Sequence, residues 1–148
     1  MRITVVEDDH LQAEHMEVEL KRALNAEVQR IRTECEFRSQ LGDLARRPPN
    51  VIVMDVMLRW TDPSVDLEKP PPDVTKEGFQ SAGLRCQELL AGRSETSQIP
   101  VILYTVLEGE DLKGRVEKSN GPVVYLPKQA DLSGLIDKIR KVVKGESR

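Results

Sequence analysis

Four acids, a threonine and a lysine supply the groups in this sequence that could do chemistry together. Asp55 interrupts Val51-Ile-Val-Met-Asp-Val-Met-Leu58, an otherwise unbroken run of strand-forming apolar side chains. Burying a carboxylate without a partner is costly, so Asp55 must end its strand facing solvent or be held by nearby charge. Three more strand-like runs end the same way: residues 3–6 lead into Glu7, Asp8 and Asp9, residues 101–105 end in Thr105, and residues 123–126 run into Lys128. In an open parallel sheet ligands bind beyond the carboxyl ends of the strands, so these groups would meet at one edge. Two carboxylates about 4 Å apart repel by roughly 4 kcal/mol at an effective dielectric near 20, so the cluster calls for a cation. Oxygen-only ligands with room for water suit Mg²⁺ or Mn²⁺ better than zinc. Lys128 adds a second positive charge and Thr105 a donor for an anionic oxygen. Such a site could hold a phosphoryl group, its charge neutralised by metal and lysine while Asp55 attacks phosphorus.

The elements that must position these groups are legible as periodicities. The runs 3–6, 51–54, 101–105 and 123–126 are apolar throughout instead of alternating, the pattern of a parallel sheet covered on both faces, and a weaker strand fits 27–32. One-sided helices fit 11–24, with Ala13, Met16, Leu20 and Leu24, and 132–143, with Leu135, Ile136, Ile139, Val142 and Val143. Further helices are expected at about 35–46, 77–91 and 109–118. The alternation of strands and helices predicts one doubly wound five-stranded α/β domain over 1–148. Residues 59–76, RWTDPSVDLEKPPPDVTK, break it: four prolines and no helical or strand period predict a long insertion, a solvated loop or a docking element, with Pro70-Pro71-Pro72 extended and stiff. Trp60, the sole tryptophan, opens it, either folded onto the domain or exposed as an anchor for a partner.

Composition narrows the partners. With 22 basic and 25 acidic residues the net charge is -3, which argues against a dedicated nucleic-acid binder. The basic stretch 138–144 keeps its charges on one helical face and its apolar residues on the other, the pattern of a solvated helix. Two distant cysteines, Cys35 and Cys86, without metal-ligand spacing, predict reduced thiols and a cytoplasmic setting. His10 and His15, five apart, do not share a helical face as metal ligands. No signal-peptide core or membrane-length apolar run is present in the sequence, and no membrane association is expected.

VVEDD at 5–9, VIVMDVML at 51–58, VILYT at 101–105 and VVYLPK at 123–128, in this order and each at a strand end, resemble the receiver domains of two-component response regulators over nearly the whole chain. The resemblance implies a flavodoxin-like sheet of order 2-1-3-4-5, with the insertion between strand 3 and helix 3. It makes Asp55 the phosphoacceptor and assigns Mg²⁺ (or Mn²⁺) to Asp8, to Glu7 mainly through water, to Asp55 and to the backbone carbonyl of Met57. Thr105 would bond a phosphoryl oxygen, Lys128 would pair with the phosphoryl group, and Tyr125 would turn inward as Thr105 moves, giving a bistable switch. It implies a sensor histidine kinase or histidine phosphotransfer protein as donor, self-catalysed transfer with slow autodephosphorylation, and a downstream protein partner; it leaves a homodimer open. The sequence departs from the pattern at Arg59, where the family usually has proline, at Val106, usually a small residue, and at Gln129, with Pro127 ahead of the lysine. These departures keep an alternative in play, a receiver-like interaction module that works without phosphorylation. An aspartate-nucleophile phosphohydrolase of the haloacid dehalogenase type ranks lower, because Met57 stands where that class needs a second acid.

Overall fold

The computed structural model describes residues 1–62, 69–107, 112, 114–115 and 122–145. Five strands form one sheet: β1 (Arg2–Val6), β2 (Glu27–Ile31), β3 (Val51–Met54), β4 (Val101–Thr105) and β5 (Val123–Pro127). All neighbours are parallel and the order is β2-β1-β3-β4-β5, as the resemblance implies. The apolar runs become strands because both sheet faces are covered. Ile3, Val5, Val51, Val53, Ile102 and Tyr104 pack with Met16 and Leu20 of α1 (His10–Leu24) and with Leu135 and Ile139 of the last helix. Val6, Ile52, Met54, Val101 and Leu103 face the other way, against Phe37, Leu44, Leu84 and Leu90. Each such side chain removed from water contributes about 1.5–3 kcal/mol.

The helices on the second face depart from expectation in two places. The helix expected over 35–46 is two, α2 (Glu34–Ser39) and α3 (Leu41–Arg46), joined at Gln40, whose φ of -100° and ψ of 5° leave helical geometry. The insertion is not without helix: α4 (Pro72–Glu77) starts on the last proline of the triplet. Proline suits a first helical position because its missing N–H would have no intrahelical acceptor and its φ is already fixed. Pro71, at φ -68° and ψ 165°, is extended as expected, and Pro72 is not. The helix expected over 77–91 is broken at Gly78, whose φ of 82° favours glycine; a 3₁₀ turn (Phe79–Ser81) follows, then α5 (Ala82–Ala91). The last helix, α6 (Ser133–Val143), begins one residue later than expected. Of the helix expected over 109–118, only Leu112, Gly114 and Arg115 fall within the described residues, and these are helical; the remainder, like 63–68 of the insertion, lies outside them.

Two local contacts aim the sheet edge. Gly83 N–H donates to the Val56 carbonyl at 2.8 Å, and a Cβ at Gly83 would lie 2.2 Å from the Asp55 carbonyl oxygen, so only glycine lets α5 support the turn after β3 this closely. Asp9 caps α1, its carboxylate accepting the Gln12 N–H at 3.0 Å, which fixes the turn leaving β1. Trp60 folds onto the domain: Arg38 lies 5.6 Å from its ring centroid, and its carbonyl accepts the Cys35 N–H at 2.9 Å. Among the described residues neither Cys35 nor Cys86 is in a disulfide, and burial raises the pKa of Cys86 well above its usual value. Among the described residues no helix is long and apolar enough to cross a membrane.

Candidate functional site

Asp55 is the first residue beyond β3 and is only 6% exposed. Its backbone N–H still donates to Val6 of β1 at 2.9 Å, so the side chain projects from the end of the sheet between β1 and β4. Lys128, one residue past β5, reaches across this edge. Its Nζ donates to Asp55 Oδ2 at 2.9 Å, to Glu7 Oε1 at 2.6 Å and to Gln12 Oε1 at 2.6 Å. The Lys128 N–H donates to the Thr105 carbonyl at 2.9 Å, which ties β5's exit to β4's. One open concavity of about 450 Å³ is lined by Glu7, Asp8, Asp9, Gln12, Asp55, Met57, Arg59 and Lys128, with Phe79 and Val106 at its rim.

Burial and charge set the electrostatics. Glu7, 3% exposed, has its carboxyl pushed up to about 7 by burial and then by the Asp55 charge, with the Lys128 ammonium pulling the other way. Burial works against the Lys128 charge, but the facing Glu7 and Asp55 outweigh it and its pKa is raised. The second oxygens are held by backbone: Glu7 Oε2 accepts the Asp9 N–H at 3.1 Å, and Asp55 Oδ1 accepts the Met57 N–H at 3.2 Å. Asp8 turns toward the insertion, where its Oδ2 accepts the Arg59 N–H at 3.0 Å and lies 3.8 Å from the guanidinium.

Six of the residues that the sequence brought to this edge, Glu7, Asp8, Asp9, Asp55, Met57 and Lys128, therefore share one cavity, and two, Thr105 and Tyr125, do not line it. Thr105 is fully buried beneath it, its hydroxyl accepting the Leu107 N–H at 3.3 Å. Tyr125 is half-buried against the second-face core, its hydroxyl donating to the Leu107 carbonyl at 2.7 Å. Asp9 lines the cavity and also caps α1, its carboxylate turned to the Gln12 N–H. Because Glu7 and Asp55 turn to Lys128 while Asp8 turns to Arg59, no three acidic, histidine or cysteine side chains among the described residues converge on one point. The donor set still suits a hard divalent cation, because the carboxylates of Glu7, Asp8 and Asp55 line one open cavity. Asp8 and Glu7 on β1's exit and Asp55 on β3's would hold such an ion. Two contributors escaped the sequence reading. Gln12 reaches Lys128 from the first turn of α1, a contact set by the cap; Arg59 stood out only as a departure from a pattern, with no periodicity to aim it.

A five-stranded parallel sheet of this order, with an acid–lysine edge, defines a class: the fold is that of response-regulator receiver domains. No protein-family model and no curated protein matches the chain by sequence. Solved structures do match in shape. The signal receiver domain of a signal transduction histidine kinase from Syntrophus aciditrophicus superposes with a TM-score of 0.70 at 22% identity, over 99% of this chain and 92% of that one. The phosphorylated cyanobacterial phytochrome response regulator RcpA gives 0.65 at 19% identity, over 95% of this chain and 89% of that one. The Mn²⁺-bound form of the response regulator Rcp1 gives 0.63 at 20% identity, over 95% and 90%.

Proposed function

We propose that this chain accepts a phosphoryl group on Asp55, in a reaction supported by Mg²⁺ or Mn²⁺, and signals by a change in shape. The observation that carries this reading is the Asp55 carboxylate at the end of β3, bonded to Lys128 at 2.9 Å in a cavity shared with Glu7 and Asp8. The donor is a phosphohistidine of a sensor kinase or phosphotransfer protein. A carboxylate oxygen of Asp55 forms the new bond to phosphorus as the bond to the imidazole nitrogen breaks, its electron pair leaving with the imidazole. Asp8, Asp55 and the Met57 carbonyl, with Glu7 mainly through water, would hold a divalent ion, which would supply charge neutralisation for the phosphoryl oxygens. Lys128 neutralises charge from the other side and orients Asp55, and Glu7 holds Lys128 in place.

Thr105 would bond a phosphoryl oxygen by giving up its present partner, the Leu107 N–H. Leu107 is also the acceptor of the Tyr125 hydroxyl, so one short segment links Thr105 to Tyr125 and carries the switch. Exposed Val106 at the cavity rim restricts approach of water to the acyl phosphate, favouring a long-lived adduct. A downstream protein reads the altered surface. Two of the similar structures are described as phosphorylated and Mn²⁺-bound forms of response regulators, which supports the reading by analogy.

The test is intact mass after incubation with Mg²⁺ and a small phosphodonor. A labile phosphoryl adduct is expected in the wild type and not in Asp55→Asn. An adduct that survives Asp55→Asn means another acceptor. No adduct even with a cognate kinase, in a protein that still binds partners, means an interaction module that works without phosphorylation.

A further inference from the structure

The insertion begins with a residue that is built into the acidic cavity. Arg59 and Trp60 are pinned to the start of α2: the Arg59 carbonyl accepts the Glu34 N–H at 2.9 Å and the Trp60 carbonyl the Cys35 N–H at 2.9 Å. Glu34 is fully buried, so this anchorage is rigid. It aims the Arg59 N–H at Asp8 Oδ2, at 3.0 Å, and brings the guanidinium Nε to 3.8 Å from the same oxygen. Asp62 reaches back to the Arg59 guanidinium at 4.0 Å and to Arg32 at 3.4 Å, so the side chain has an acid on either side. Lys128 satisfies Glu7 and Asp55, and Arg59 is the cation beside Asp8 in the same cavity.

We propose that Arg59 is a positioning residue that lowers the site's affinity for its divalent cation: its guanidinium is the resident counter-ion of Asp8 and must swing toward Asp62 before the metal can take that carboxylate. The inference rests on the phosphoacceptor reading for the identity of the ion and goes beyond it in assigning the control of loading to the insertion. The guanidinium is more than half exposed, so its attraction to Asp8 is modest, but the arriving ion also meets its repulsion. The combined effect is several-fold, not orders of magnitude.

The measurement is Mn²⁺ affinity, followed through the electron paramagnetic resonance signal of the free ion, on the intact chain. Arg59→Gln keeps the backbone bond to Asp8 and removes the charge; it should bind Mn²⁺ about three- to tenfold more tightly. Arg59→Lys, which keeps the charge, should stay within about twofold of wild type. In an Asp8→Asn background the Arg59→Gln gain should vanish, because the two effects act through one carboxylate. Equal or weaker binding by Arg59→Gln overturns the proposal, as does a gain that persists without Asp8, and so does a wild type that binds no Mn²⁺. The phosphoacceptor reading fails separately: a wild type without an adduct, in which Arg59→Gln still tightens Mn²⁺, loses that reading and keeps this one.

Discussion

Removing Glu7 from water and setting it across Lys128 from Asp55 holds its carboxyl near 7, against 4.5 for an unperturbed glutamic acid. In the cation-free protein the native state therefore keeps a proton that the unfolded chain gives up between about pH 4.5 and 7. The stability this contributes is complete below the unfolded value and is lost as pH rises through the folded one. Asp9, Glu17 and Asp73 are shifted the other way, by a backbone amide, Lys21 and Arg38 respectively, so they act only at the acid end, below their ordinary values. Urea unfolding in the presence of a chelator should show stability declining from about pH 5 toward 7, and Asp55→Asn should contract the decline by removing the second cause. A flat profile over that interval would count against the cluster as described. At this scale the sequence was informative because topology alone carries Glu7, Asp55 and Lys128 to one edge. It was silent on Gln12 and Arg59, whose contacts depend on a helix cap and on backbone bonds made by the insertion.

The second-face helices are held to one another by charge as well as by apolar packing. Arg85 of α5, 5% exposed, forks onto the fully buried Glu34 of α2 at 2.7 and 2.9 Å. The same guanidinium reaches Glu77 at the end of α4 at 3.1 Å, and Arg38 of α2 clips Asp73 at α4's start at 3.0 Å. Glu77 also accepts from Arg115 at 3.2 Å, and Arg115 pairs with Glu88 of α5. The insertion helix is thus tied at both ends. Removing one partner of a buried pair strands the other, so Arg85→Met should cost about 3–5 kcal/mol in urea unfolding. Adding Glu34→Met should restore much of that, since neither charge remains buried, and simple additivity of the two losses would show that they are not one unit. These helices were the least legible part of the fold. The strands announced themselves by being apolar on both faces, but nothing in residues 34–46 marks Gln40 as a break. The prolines that conceal α4 in composition also start it at Pro72, and Gly78, read inside one helix, is where two elements part.

Across the whole molecule the cavity depends on the sheet being complete. Its acids come from the exits of β1 and β3, its lysine from the exit of β5, and Thr105 beneath it from β4; these residues are separated by up to 121 positions and meet only in the folded state. An ion that requires several of them binds the native chain and not the unfolded one, so it must stabilise the whole domain. At about a hundred times its dissociation constant the gain is roughly 2.7 kcal/mol. For a chain of this length each kcal/mol raises Tm by about 2–4 °C, so Mg²⁺ should raise the melting temperature by about 5–10 °C, read by circular dichroism. Asp8→Asn should lose most of the shift. It should also melt no lower than wild type without the ion, because it removes one of the like charges that the cation-free cavity must hold together. Arg59→Gln should give any stated Tm gain at a lower Mg²⁺ concentration, since it tightens the affinity that sets the gain. A melting temperature indifferent to Mg²⁺ at millimolar concentration would remove the divalent ion from this site and leave Lys128 as the only cation shared by Glu7 and Asp55.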